Sequence, residues 1–242
     1  MARPLLIAHR GASVEAPENT LAAFRRALAL GVDGLELDVQ VTRDGVPVVF
    51  HDATLARLTG RRGRIAQFPR RALREFLVRG EDIPTLAEVL ALVRDRAVVQ
   101  IELKRGTSVA PVVAAIHRAR AAGAVVFASF EPKLVAEARA LAPRIPRMLI
   151  HDGRLGRPKS PAERAHRLAG ILAGLGAAGV SLDFRAIPSA RFIDALKSRG
   201  FCVWCWTVND PRAMLRLARW GTDAILTDDP SLLKATLGTR DY

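Results

Sequence analysis

The feature that most limits how this chain can fold is its rhythm: short apolar runs alternate with longer amphipathic ones. Strand-like runs are expected at Leu5–His9, Gly34–Val41, Val46–His51, Val98–Lys104, Val125–Phe130, Arg147–Ile150, Gly179–Leu182, Phe201–Thr207 and Ala224–Thr227. Helical spacing covers Asn19–Leu30, Thr85–Arg94, Val109–Ala122, Pro132–Leu141, Pro161–Leu175, Ser189–Arg199, Pro211–Trp220 and Pro230–Leu237. Strands that alternate with helices build right-handed βαβ units and a parallel sheet. Val46–His51 reads instead as a hairpin return from Gly34–Val41 through Arg43-Asp44-Gly45. Eight main strands and eight helices then remain, the count of an α/β TIM (β/α)8 barrel. An open doubly wound sheet is the competing architecture. The chain's 242 residues suit one such barrel, so residues 1–242 are expected to form a single domain.

The punctuation agrees. Gly31, Gly123, Gly200 and Gly221 each follow a helical pattern and precede a strand, where a helix-ending glycine belongs. Asp210-Pro211 and Asp229-Pro230 combine an N-cap with a first-turn proline. The rhythm breaks between about 53 and 83, where no strand is evident and arginines 57, 61, 62, 64, 70, 71, 74 and 79 crowd together. This stretch is expected to be a short Arg-rich insertion after the second strand.

Strand parity then sorts the charged residues. Glu36 and Asp38 are two apart, so they share one face while Leu35, Leu37 and Val39 take the other. Gln100, Glu102 and Lys104 share a face in the same way. Carboxylates turned into an apolar barrel are costly unless paired or metal-bound. Three of them at neighbouring strand ends make an oxygen-rich site for one divalent cation, Mg2+ or Ca2+. The alternative is a buried network in which Lys104 or Arg10 neutralises the acids. His9 and His51 both fall at the carboxyl ends of strand runs, where barrel enzymes carry their chemistry. Imidazoles suit proton transfer near neutrality, and Arg10 and Lys104 suit an anionic oxygen. His117 and His166 lie in helical patterns. His151 ends a strand and is a lesser candidate for the rim of a site.

At these residues the chain resembles the glycerophosphodiester phosphodiesterase family. The resemblance is carried by His9-Arg10-Gly11 with Pro17-Glu18-Asn19-Thr20, by Gly34-Leu35-Glu36-Leu37-Asp38-Val39 with Thr42-Arg43-Asp44-Gly45, and by Val48-Val49-Phe50-His51-Asp52. It continues through Ile83-Pro84-Thr85-Leu86, Ile101-Glu102-Leu103-Lys104, Ser129-Phe130, Trp206-Thr207-Val208-Asn209, Gly221-Thr222-Asp223 and Thr227-Asp228. The resemblance implies a TIM barrel and a divalent metal at Glu36, Asp38 and Glu102. It implies general acid/base roles for His9 and His51, phosphate binding by Arg10 and Lys104, and a place for Trp206 near the alcohol. The implied reaction is metal-dependent hydrolysis of glycerophosphodiesters to an alcohol and glycerol 3-phosphate. A lysophospholipase D-type phosphodiesterase using the same residues is the alternative. The run Leu55-Ala56-Arg57-Leu58-Thr59 departs from the family's more usual Leu-x-Arg-Thr-Thr.

The formal net charge of +13 attracts anions, and is equally what an Ala-, Arg-, Gly- and Leu-rich composition produces. Small phosphodiesters are the expected partners, with transient contact to an anionic lipid surface as a further option. A nucleic-acid-binding role is disfavoured, because no binding motif accompanies the charge and aromatics make up only 5% of residues. Cys202 and Cys205 lie three apart on a strand and point to opposite faces, so they are expected to be structural. No secretory signal pattern is evident, and the run Leu168–Leu182 is too short and glycine-rich for a membrane span. A cytoplasmic protein is the expectation.

Overall fold

The computed structural model describes residues 3–155 and 160–238. Eight parallel strands close into a barrel: β1 (Leu5–His9), β2 (Gly34–Val41), β4 (Val98–Leu103), β5 (Val125–Ser129), β6 (Arg147–His151), β7 (Gly179–Asp183), β8 (Cys202–Trp206) and β9 (Ala224–Thr227). β3 (Pro47–Val49) folds back antiparallel on β2, as the hairpin reading requires. The closing contact is β1 with β9, while β1 also pairs with β2. The open doubly wound sheet is thereby excluded.

The long helices are α1 (Leu21–Ala29), α4 (Leu86–Val93), α5 (Val109–Arg118), α6 (Pro132–Leu141), α7 (Pro161–Leu175), α8 (Ala190–Lys197), α9 (Pro211–Arg219) and α10 (Pro230–Leu237). Their starts are set locally. Asp210 accepts from Ala213 N and Asp229 from Leu232 N, each followed by a first-turn proline. Thr85 and Glu88 form a reciprocal capping box. Gly31, Gly200 and Gly221 adopt positive φ as expected. Gly123 does not. α5 stops earlier than its apolar pattern suggests, Arg120 takes the left-handed position at φ 54°, and Gly123 sits in a 3-10 turn, Ala122–Ala124.

Strand parity divides the core into two shells. Leu35, Leu37, Val39, Val99, Ile101 and Leu103 face outward and pack beneath the helices. Ile7, Ala128, Met148, Ile150, Trp204, Ala224 and Leu226 fill the barrel. Gly34 is required at this inner crowding: a Cβ there would lie 2.5 Å from Ile7 Cδ1 and 2.9 Å from the Val98 carbonyl oxygen. Between β3 and α4 the chain forms two four-residue helices, α2 (Ala56–Thr59) and α3 (Arg70–Leu73), and a 3-10 turn, Ile65–Gln67. This segment has its own small core, in which Leu55, Ile65, Leu73, Val78 and Ile83 pack on Val48 and Phe50. No helix among the described residues is long and apolar enough to cross a membrane.

Candidate active site

The carboxyl ends of the parallel strands converge on a cavity of about 150 Å3, lined by His9, Arg10, Glu36, His51, Glu102, Lys104 and Trp206. Asp38 lies behind these residues and is fully buried. All eight residues singled out from the sequence therefore meet in one place. A larger cavity, about 430 Å3, opens at the other end of the barrel among Leu90, Arg94 and Arg120, and holds no histidine.

Register brings the acids together. β1 and β2 set His9 beside Glu36, and β2 and β4 set Asp38 beside Glu102. One oxygen from each of Glu36, Asp38 and Glu102 lies within 4.8 Å of the other two, and all three residues are buried. Arg10 N–H donates to Glu36 Oε2 at 3.1 Å. Lys104 Nζ donates to Glu102 Oε1 at 2.6 Å and to Asp38 Oδ1 at 3.3 Å. Asn19 Nδ2 donates to Asp38 Oδ2 at 2.8 Å.

The three acids respond differently to this crowding. Burial raises the Glu36 carboxyl well above its ordinary range, and the charges of Asp38 and Glu102 add to the rise. Burial and the Asp38 charge push Glu102 up to about 7, against the pull of Lys104. Burial would also raise Asp38, but Lys104 and Arg10 outweigh it and hold that carboxyl at about 2. Protons thus replace part of the positive charge that three close carboxylates demand. Oxygen donors that are buried, close together and unable to ionise jointly form a triad that could hold a hard divalent cation.

Each histidine is backed by an acid. His9 Nδ1 lies 2.7 Å from Asp228 Oδ1, and its Nε2 is 3.8 Å from Glu36 Oε2. Asp228 also accepts from Ser13 Oγ and Asn209 Nδ2. Burial would raise Asp228, but His9, Asn209 and Ser13 together outweigh it and bring the carboxyl down to about 2. His51 Nδ1 lies 2.7 Å from Asp52 Oδ1. Gln40 Nε2 donates to the carbonyls of Phe50 and Asp52, pinning the backbone on both sides of His51. Burial lowers the His51 pKa, so its neutral form is favoured. In both pairs Nδ1 is occupied, which leaves Nε2 as the nitrogen for a substrate.

Arg10 is held in the left-handed backbone region at φ 59°, a conformation a non-glycine residue adopts only under constraint. Gly11, at φ 82°, lets this loop press against α1, since a Cβ there would come within 2.7 Å of the Ala23 backbone. Arg10 Nη1 donates to Glu18 Oε1 at 3.0 Å. Its Nε approaches Asp38 Oδ2 at 3.3 Å without hydrogen-bond alignment, so this buried donor has no hydrogen-bond partner. The contact is an ion pair by distance only, and Arg10 also lines the cavity.

Opposite the charges stands an apolar wall. Trp206 Nε1 donates to the Ser181 carbonyl at 2.9 Å, and its ring meets Phe130 edge to face at 5.6 Å. Ile150 and Leu226 complete the wall. His151 ends β6 but accepts from Gly153 N–H and does not line the cavity. His117 and His166 are exposed on α5 and α7. Cys202 is exposed and Cys205 is buried with Sγ 3.0 Å from Thr222 Oγ1, so the two thiols do not converge.

The sequence reading quoted Asp52, Asp228 and Glu18 without giving them a role. A strand-end acid beside a strand-end histidine was the available signal for Asp52. Asp228 had none, because it meets His9 only when β9 closes on β1. Arg57, one of the arginines that crowd between about 53 and 83, is ion-paired with both Glu18 and Asp52.

Comparison with known proteins agrees with this geometry. Residues 9–232 match the model of the glycerophosphoryl diester phosphodiesterase family. A glycerophosphodiester phosphodiesterase of Caldanaerobacter subterraneus subsp. tengcongensis is 34% identical over 247 aligned positions, covering 96% of each chain. The structure of an Oleispira antarctica phosphodiesterase in complex with the product sn-glycerol-3-phosphate superposes with a TM-score of 0.84 at 29% identity, covering 98% of both chains. The crystal structure of a glycerophosphodiester phosphodiesterase from Agrobacterium tumefaciens str. C58 gives 0.80 at 29% identity, covering 96% of this chain and 99% of that one. With a barrel of the same topology and a buried acidic triad at its mouth, the chain belongs to the glycerophosphoryl diester phosphodiesterase family, a family of hydrolases.

Proposed function

We propose that this chain hydrolyses glycerophosphodiesters to an alcohol and sn-glycerol 3-phosphate, with His9 and His51 as acid and base. One observation carries the reading: two histidine–carboxylate pairs flank a single carboxylate triad in one cavity. Glu36, Asp38 and Glu102 are the residues that would hold one divalent cation, Mg2+ or Ca2+. Bound there, it would supply Lewis acidity and a template for a nonbridging phosphate oxygen.

The remaining work falls to the side chains. Arg10 brings its guanidinium, and Lys104 its ammonium, to the negative charge that grows on the phosphoryl oxygens. One histidine takes the proton from the attacking oxygen as the new P–O bond forms. The other gives its proton to the alcohol oxygen as the ester P–O bond breaks. Asp228 and Asp52 stabilise whichever imidazole is protonated. The attacking oxygen belongs to water or to a neighbouring substrate hydroxyl, and the latter route passes through a cyclic phosphate. Turnover in 18O-labelled water with trapping of early product separates the two.

The wall of Phe130, Ile150, Trp206 and Leu226 suits the alcohol portion of the substrate. It also supports a second reading, a lysophospholipase D-type activity in which an acyl chain lies along the same wall. Parallel assays of glycerophosphocholine and a lysophospholipid, each with Mg2+ and with Ca2+, decide between them. Full hydrolysis after exhaustive chelation overturns the metal assignment. Undiminished turnover by both His9→Ala and His51→Ala overturns the acid–base pair.

A further inference from the structure

We propose that Arg57 is a positioning residue that locks the His51 half of the site to the Arg10 half through Glu18. The inference rests on the acid–base reading above and adds a residue that reading does not use.

Arg57 sits on the four-residue helix α2, anchored by the fully buried Leu55 beside it. Its guanidinium makes two forks. Nε donates to Asp52 Oδ2 at 2.6 Å and Nη2 to Asp52 Oδ1 at 2.8 Å. Nη1 donates to Glu18 Oε2 at 3.0 Å and Nη2 to Glu18 Oε1 at 2.8 Å. Both acids carry a second load from the site. Asp52 Oδ1 also meets His51 Nδ1, and Glu18 Oε1 also accepts from Arg10 Nη1. An unbroken chain therefore runs His51–Asp52–Arg57–Glu18–Arg10, and Arg57 is its one link between the loop after β3 and the loop after β1.

The geometry explains why this link is an arginine. Two carboxylates approached from two sides need a planar donor with several N–H groups in fixed directions. A lysine keeps the charge but cannot hold both forks at once. With both Asp52 oxygens bound to Arg57, the carboxylate cannot rotate, so His51 keeps its Nδ1–H toward Asp52 and its Nε2 toward the cavity. The other histidine has no such clamp. Asp228 is held by Ser13 and Asn209, both neutral. Half of the Arg57 side chain is exposed, so its contribution to folding is screened and small. Its effect belongs to catalysis.

The test is Arg57→Lys in the full chain, with His51→Ala and Arg62→Lys in parallel. Arg62 is an exposed neighbour in the same segment. Substrates are glycerophosphocholine and bis(p-nitrophenyl) phosphate with saturating Mg2+. Misplacing one catalytic group by about 1 Å costs on the order of 100-fold in rate, so Arg57→Lys should lower kcat roughly 10- to 100-fold with KM changed much less. Arg62→Lys should match the wild type. Proton NMR supplies a readout that a purely structural role would not move. Wild type should show two downfield histidine Nδ1–H resonances, one assigned to His51 by its loss in His51→Ala. In Arg57→Lys that resonance should broaden or vanish while the His9 resonance persists. A kcat within twofold of wild type, or an unchanged His51 resonance, overturns the proposal. If His51→Ala keeps full activity, the acid–base reading fails instead. The resonance comparison still judges Arg57 in that case.

Discussion

Replacing Glu102 by glutamine tests whether the triad is built for a cation rather than for stability. In the metal-free fold the carboxyl of Glu102 is pushed from 4.5 to about 7 by burial and by Asp38. The folded state therefore holds a proton there that the unfolded chain would release. Stability contributed by this group falls as pH rises from 4.5 to 7, then stays level. At about 1.4 kcal/mol per pKa unit, the ionised wild-type residue costs roughly 3 kcal/mol at pH 8, about 2 at pH 6 and almost nothing at pH 4. Glutamine mimics the protonated form and escapes this cost. The neighbouring acids share the same protons, so the figure is a ceiling. Lys104 keeps Asp38 as its anionic partner in the variant. For a chain of this length, 3 kcal/mol corresponds to a rise in Tm of about 6–12 °C. The assay is thermal melting in chelator from pH 5 to pH 8, repeated with saturating Mg2+ or Ca2+. Glu102→Gln should melt above wild type at pH 8, and the gap should close toward pH 5. Added cation should stabilise wild type by about 2.7 kcal/mol at a hundred times its Kd and should do less for the variant. The reasoning is refuted if the variant is no more stable than wild type at pH 8 in chelator. A gap that does not shrink on acidification refutes it equally.

Asp228→Asn leaves a neutral partner for His9 and should lower kcat by about 100-fold or more with the fold intact, measured by steady-state kinetics alongside circular dichroism. Gly34→Ala drives a methyl group against Ile7 and the Val98 carbonyl. It should cost about 1–3 kcal/mol in denaturant unfolding, and a neutral result would contradict the packing described for the barrel interior. Burial pushes the Cys205 thiol up to about 12 and raises Cys202 more mildly. In the native protein iodoacetamide should therefore label Cys202 slowly and Cys205 not at all, with both labelled after unfolding, as peptide mass mapping would show. Rapid native labelling of Cys205 would mean that β8 opens.

Much of the site was legible because its signals are local. Strand parity alone put Glu36 with Asp38, and Glu102 with Lys104, on the inward faces of their strands. Strand-end position alone nominated His9 and His51. The βα rhythm predicted the barrel and the hairpin return of β3. Local signals misplaced one helix end: Gly123 follows the apolar pattern of α5, but a 3-10 turn moves the left-handed residue to Arg120.

Residue order alone decides which side chains face inward at the strand ends, since pleat and period follow from it. Which of these side chains stand together depends on the closed fold. Asp228 and His9 are 219 residues apart and meet because β9 closes on β1. Arg57 and Glu18 are 39 apart and meet because two loops fold over the same rim. The split between Asp38 at about 2 and Glu102 at about 7 likewise follows from burial and from the charges of Lys104 and Arg10 that the fold packs beside them. Pairing in a closed barrel is fixed by register and closure, and neither is a property of any one segment.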